Sequence, residues 1–136
     1  MKSKNKEVVA VIGVSRNPEK YGYKVWKDLK QKGYEVYGVN PNADEIDGEK
    51  IYCCLEELPS KPDIVDFVVP PQIAYEILKK YSTKHRDVVF WFQPGSESEE
   101  SMNLCKERNL KCVFNFCIMQ ESNKEDLKKA VTKLIF

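Results

Sequence analysis

The feature that most constrains this chain is an apolar run of strand length ending on a glycine, Val8-Val9-Ala10-Val11-Ile12-Gly13. Val14-Ser15-Arg16-Asn17-Pro18 comes next, and then a helical pattern. A run without polar interruption suits a strand covered on both faces, the situation of a parallel sheet. Such a strand, feeding a helix through a glycine turn, aims free backbone N–H groups and the positive end of the helix dipole at one spot. Arg16 adds a guanidinium to that loop. The feature points to a nucleotide or another phosphate-bearing ligand.

Apolar runs and longer amphipathic segments alternate along the rest of the chain. Strands are predicted at Val8–Gly13, Glu35–Val39, Ile64–Val69, Val88–Phe92 and Lys111–Phe114. Helices are predicted at about Tyr21–Lys32, with Gly33 as C-cap, at Gln72–Ser82, at Ser98–Asn109 and at Lys124–Ile135. Glu56-Glu57-Leu58 reads as a single turn. Right-handed crossovers then give an α/β fold: a doubly wound, five-stranded parallel sheet, Rossmann-like, in a single domain. The expected strand order is 3-2-1-4-5, with the ligand crevice at the carboxyl ends of the strands near the first. The 136 residues suit one domain, expected over residues 7–136 behind a disordered basic tail at residues 1–6.

Composition excludes several classes. A formal net charge of +1 gives no field for nucleic acid or membrane. No run approaches the roughly 18 apolar residues of a membrane span. The basic start lacks a signal peptide's apolar stretch, so a cytoplasmic protein is expected. The cysteine count is five, an odd number, without support for a disulfide framework. Cys53 and Cys54 are adjacent rather than spaced as a zinc pair, and His85 is the only histidine, so no metal site is expected. Paired-carboxylate, G-x-S-x-G and P-loop motifs are absent.

The candidate site residues sit at the predicted carboxyl edge. Of a G-x-G-x-x-G fingerprint only Gly13 is present, which argues against a dinucleotide. Ser15, Arg16 and Asn17 supply a hydroxyl, a guanidinium and an amide, and Arg16 can clamp phosphate bidentately. The second strand ends on Asn40-Pro41-Asn42, neutral where an NAD enzyme usually places an acid. The third ends at Val69-Pro70-Pro71, a stiff rim suited to a base or ribose, with Pro71 at a helix start. The fourth ends at Gln93-Pro94-Gly95, and the fifth puts Cys117 near the same rim. Cys53 and Cys54 are expected off the site. Tyr21, Tyr23 and Trp26 read as core or helix face, and His85 as a solvated loop residue.

Several segments occur together in order: Gly13-Val14-Ser15-Arg16-Asn17-Pro18, Tyr21-Gly22-Tyr23-Lys24-Val25, Val39-Asn40-Pro41, Asp47-Gly48, Leu58-Pro59, Pro62-Asp63-Ile64-Val65-Asp66 and Val69-Pro70. From about Glu7 to Met119 the chain resembles the CoA-binding domain family of small stand-alone Rossmann-like proteins. It is also similar to the amino-terminal domain of ADP-forming acyl-CoA synthetases and of the succinyl-CoA synthetase alpha subunit. The resemblance implies coenzyme A (CoA) or acyl-CoA at Gly13, Ser15, Arg16, Asn40, Pro41, Val69 and Pro70. Family members often carry lysine where this chain has Asn42, so Arg16, Lys20 or Lys24 would meet the ribose phosphate. The expectation is a binder without catalysis of its own. The pyrophosphate lies over the first helix, the adenosine between Asn40-Pro41 and Val69-Pro70, and the pantetheine runs towards Gln93 and Cys117. Alternatives are an NAD(H)-binding redox-sensing module and a subunit completing an acyl-CoA synthetase in trans. The expected partner is a small-molecule nucleotide, with a homodimer or an acyl-CoA-using enzyme as macromolecular partner.

Overall fold

The computed structural model describes residues 6–135. Strand β1 (Val8–Ile12) leads to helix α1 (Tyr21–Gln31) and strand β2 (Glu35–Val39). A small hairpin, β3 (Glu45–Ile46) and β4 (Glu49–Lys50), and a 3-10 turn at Leu55–Glu57 precede β5 (Ile64–Phe67). Then come α2 (Pro71–Tyr81), β6 (Val89–Phe92), α3 (Glu99–Arg108), β7 (Lys111–Val113), α4 (Ile118–Lys124) and α5 (Leu127–Leu134). The five longer strands form one parallel sheet in the order β2-β1-β5-β6-β7.

Alternation along these strands builds two cores. Val9, Val11, Ile64, Trp91 and Val113 face one side and meet Val25 and Leu29 of α1, Ile118 of α4 and Leu127 of α5. Ala10, Val65, Phe67, Phe90 and Phe92 face the other side and meet Ala74 and Leu78 of α2 and Leu104 of α3. Both faces are covered, as the unbroken apolar runs require. A smaller cluster seats the β3–β4 hairpin, through Ala43, Ile46 and Ile51, on Val14 and Trp26. The hairpin turn, Asp47-Gly48, has φ of 52° and 77°, the left-handed pair that a two-residue hairpin loop demands.

The strand order corrects the expected 3-2-1-4-5. In order of the main strands it is 2-1-3-4-5, with β2 at the edge. β2 carries half-buried Glu35 and Tyr37, whereas β1 and β5 are almost wholly buried and take the centre. The change moves the switch point of the sheet to the gap between β1 and β5, where such folds open a crevice. The crossover from β2 to β5 holds no α-helix. After its hairpin, which packs on Val14 and Trp26, the chain returns with Leu55 buried in the core on the side of α2.

Two further expectations change. Cys105 and Cys112 are joined by a disulfide, Cα–Cα 6.7 Å. Asn109, left-handed at φ 57°, ends α3 and returns the chain so that α3's last turn meets the start of β7. The last predicted helix begins later, at Leu127, because Asp126 caps it by accepting from Lys128 N at 3.0 Å. The preceding α4 was not predicted from sequence. Of the proposed tail, residues 1–5 lie outside the described residues, and the Lys6 ammonium sits 4.6 Å over the Tyr34 ring.

Candidate ligand-binding site

Gly13 closes β1 with φ 101° and donates its N–H to Val39 O at 2.9 Å. A Cβ there would lie 2.2 Å from Val68 O, so no other residue fits. Gly22, in the first turn of α1, does the same work from the other side: a Cβ on it would lie 2.1 Å from Gly13 O. These two glycines let α1 approach the ends of β1 and β5. Lys20 gives α1 no side-chain cap, and the first turn holds no acid. The helix start thus keeps its positive end uncompensated.

The loop before α1 is ordered by its own side chains. Ser15 Oγ accepts from Asn17 N at 3.1 Å, and Asn17 Oδ1 from Glu19 N at 2.9 Å. Arg16 and Lys20 are exposed, and neither makes an ion pair among the described residues. Asn40 ties this loop to the next: its Nδ2 donates to Val14 O at 2.8 Å and its Oδ1 accepts from Asn42 N at 2.8 Å. Asn40 is therefore a brace as well as a neutral group at the rim.

A cavity of about 370 Å³ opens beside Gly13. Gly13, Asn40, Pro41, Asn42 and Val69 line its rim. It continues between α2 and residues 53–56, floored by Ile12 and Val39 and walled by Ile73, Ile77, Lys80 and Tyr81. The missing crossover helix creates this space. Ile73 is 48% exposed, an apolar side chain left open on the cavity wall. A second cavity of about 370 Å³ lies between Tyr21, Val68, Val69, Pro70 and Pro94-Gly95-Ser96. Val69 lines both. Ser96 holds the walls of the second together, donating to Val69 O at 2.6 Å and accepting from Val69 N at 3.1 Å.

The structure thus brings Gly13, Asn40, Pro41, Asn42, Val69 and Pro70 to the cavities, with Ser15, Arg16, Asn17 and Lys20 in the loop between β1 and α1. Pro71 opens α2 and is exposed. Gln93 is 1% exposed and lines neither cavity; its Oε1 accepts from Ile118 N at 2.9 Å. Cys117 lies 2.7 Å from the Tyr21 hydroxyl and 3.5 Å from Gln93 Nε2. Burial pushes its thiol up, but hydrogen bonds from Tyr21, Gln93 and the N–H groups of Gln120 and Met119 hold it below the ordinary thiol range. Asp66 lies near Cys117, fully buried with no partner on either oxygen, and burial pushes its carboxyl well up. His85 stacks on the Tyr81 ring at 4.1 Å instead of standing free.

Cys53 and Cys54, expected off the site, both line the cavity beside Gly13. The parallel pairing of Val39 with Tyr52 swings them there, a contact that no local pattern announces. Lys80 was also missed. It follows Ile73 and Ile77 at helical spacing, a stripe that sequence periodicity reads as core. Among the described residues no group of three or more potential metal ligands occurs, and no helix is long and apolar enough to cross a membrane.

Comparisons with known proteins agree with this geometry. The family profile described as CoA binding domain matches residues 7–123. An uncharacterised Bacillus subtilis protein, YneT, is 32% identical over 114 residues, 81% of each chain. The alpha subunit of ADP-forming acetate–CoA ligase II from Pyrococcus furiosus is 40% identical over 75 residues, 54% of this chain. The matched stretch is only 16% of that subunit's length. A solved structure of a conserved hypothetical protein from Pyrococcus furiosus superposes with a TM-score of 0.77 at 41% identity, covering 85% of this chain and 98% of that one. The chain belongs to the CoA-binding domain family.

Proposed function

We propose that the protein binds CoA or an acyl-CoA, by recognition and without a reaction of its own. The observation that carries the reading is the pair of cavities that share Val69, with Arg16 in the loop between Gly13 and the uncapped start of α1. Their sizes suit a bound small molecule, and an extended one would fill both. The adenine packs against Val39, Val69 and Ile73. Lys80, which lines the same cavity as Asn42, is the cation for the ribose phosphate. The pyrophosphate sits over Gly13 and the start of α1 with Ser15 and Arg16. The pantetheine arm runs along Val68-Val69-Pro70 and Pro94-Gly95-Ser96 towards Tyr21 and Cys117. The likeness to the alpha subunit of an acetate–CoA ligase supports a second reading, in which the domain holds CoA for an acyl-CoA-using enzyme.

Native mass spectrometry of gently purified protein tests this. Retained CoA or acyl-CoA is the expected result; retained NAD(H) in its place would overturn the reading.

A further inference from the structure

The binding proposal uses neither of the two adjacent thiols in the wall of the cavity beside Gly13, Cys53 and Cys54. Their sulfurs are 3.2 Å apart. Adjacent side chains of a strand point to opposite faces, so this contact requires a bend. The chain supplies one: Tyr52 pairs with Val39, residues 53 and 54 bend, and the 3-10 turn at Leu55–Glu57 follows. Cys53 is exposed and Cys54 half-buried. A buried, inert cysteine fills space, and exposed Cys53 does not.

We propose that Cys53 and Cys54 form a redox-active dithiol in the pocket wall, which closes to a vicinal disulfide by exchange with a low-molecular-weight disulfide such as glutathione disulfide. Cys53 reacts first because it is exposed. The contact with Cys53 and partial burial hold the Cys54 thiol above its ordinary range, which fits that order. Cys53 gives its proton to solvent, and the thiolate attacks one sulfur of the reagent. The reagent's S–S bond breaks, and one glutathione leaves as thiolate and takes up a proton. Cys54 then loses its proton and attacks Cys53 Sγ. The Cys53–Cys54 bond forms and the second glutathione leaves, again taking up a proton. Two protein thiols lose two electrons, and one disulfide becomes two thiols.

The ring is wired to the opposite wall. Tyr52 O accepts from Asn40 N at 2.9 Å, and Tyr52 N donates to Gly38 O at 3.0 Å. Drawing the sulfurs together pulls on the segment that holds Asn40-Pro41-Asn42. This coupling, unlike the dithiol itself, rests on the proposed CoA site. A ligand that favours the open wall shifts the closure equilibrium towards the dithiol, and closure weakens that ligand by the same factor.

Reduced protein is incubated with glutathione disulfide and digested with trypsin. Peptide 51–79 contains both thiols and no other cysteine. The expected product is that peptide less two hydrogen atoms, without glutathione. In Cys54→Ser the exchange stops halfway, and glutathione stays on Cys53. In a glutathione buffer of fixed thiol-to-disulfide ratio, saturating acetyl-CoA, which carries no free thiol to enter the exchange, is expected to lower the ratio of closed to open peptide roughly tenfold. An unmodified wild-type peptide, or a lasting glutathione adduct on it, overturns the proposal. The same ratio with and without acetyl-CoA supports the dithiol and counts against an acyl-CoA in that cavity.

Discussion

Arg16 stands exposed between β1 and α1, with no ion pair among the described residues. A guanidinium left free beside an uncapped helix start has an anion as its natural partner. Its removal touches no packing. Arg16→Ala is expected to weaken CoA binding roughly tenfold or more, as loss of a charge-assisted bond does, with the unfolding transition unchanged. Titration and thermal melts of the same preparation check both halves; an unchanged dissociation constant would mean that Arg16 meets only solvent. Asn40 shows how a residue can be named for the right place and an incomplete reason. Its neutrality was legible in the sequence, but its bond to Val14 O was not, because that contact joins positions 26 apart in the chain.

At the scale of elements, β5 is the central strand, and it carries Asp66 between Val11 and Trp91. The carboxyl is fully buried without a partner, close to Cys117, and burial holds its pKa far above the ordinary aspartate value. The folded chain therefore keeps a proton that the unfolded chain gives up. Stability contributed by that proton is complete below the ordinary aspartate range and falls as pH rises from there towards the raised value, by at most about 1.4 kcal/mol per pH unit. Urea unfolding between pH 4 and pH 8 is expected to show this fall in the wild type relative to Asp66→Asn. Parallel curves for the two proteins would mean that Asp66 ionises in the fold. The five main strands and four of the five helices were legible because buried parallel strands are apolar and their helices alternate with them. The β2–β5 crossover was not. A pairing of Val39 with Tyr52 has no periodicity, and without it neither the cavity beside Gly13 nor Cys53 and Cys54 find their places.

For the whole molecule, one topological fact organises the rest. The strand order of the parallel sheet switches between β1 and β5, and the chain crosses from β2 to β5 without an α-helix. The first puts Gly13 beside Val68 and Val69; the second leaves a groove along α2 that ends at Lys80 and Tyr81. Strand order could not be read from the alternation of elements, which fits 3-2-1-4-5 and 2-1-3-4-5 alike. The burial contrast between β2 and β1 decides it, and that contrast is a property of the folded state. The central claim, that this groove and the loop before α1 hold CoA, is tested most directly by titration calorimetry with CoA, 3′-dephospho-CoA and NAD. CoA is expected to bind most tightly and 3′-dephospho-CoA roughly tenfold less so, through loss of the charge-assisted contact to the ribose phosphate, with NAD weaker than CoA. Tighter binding of NAD than of CoA would contradict the account.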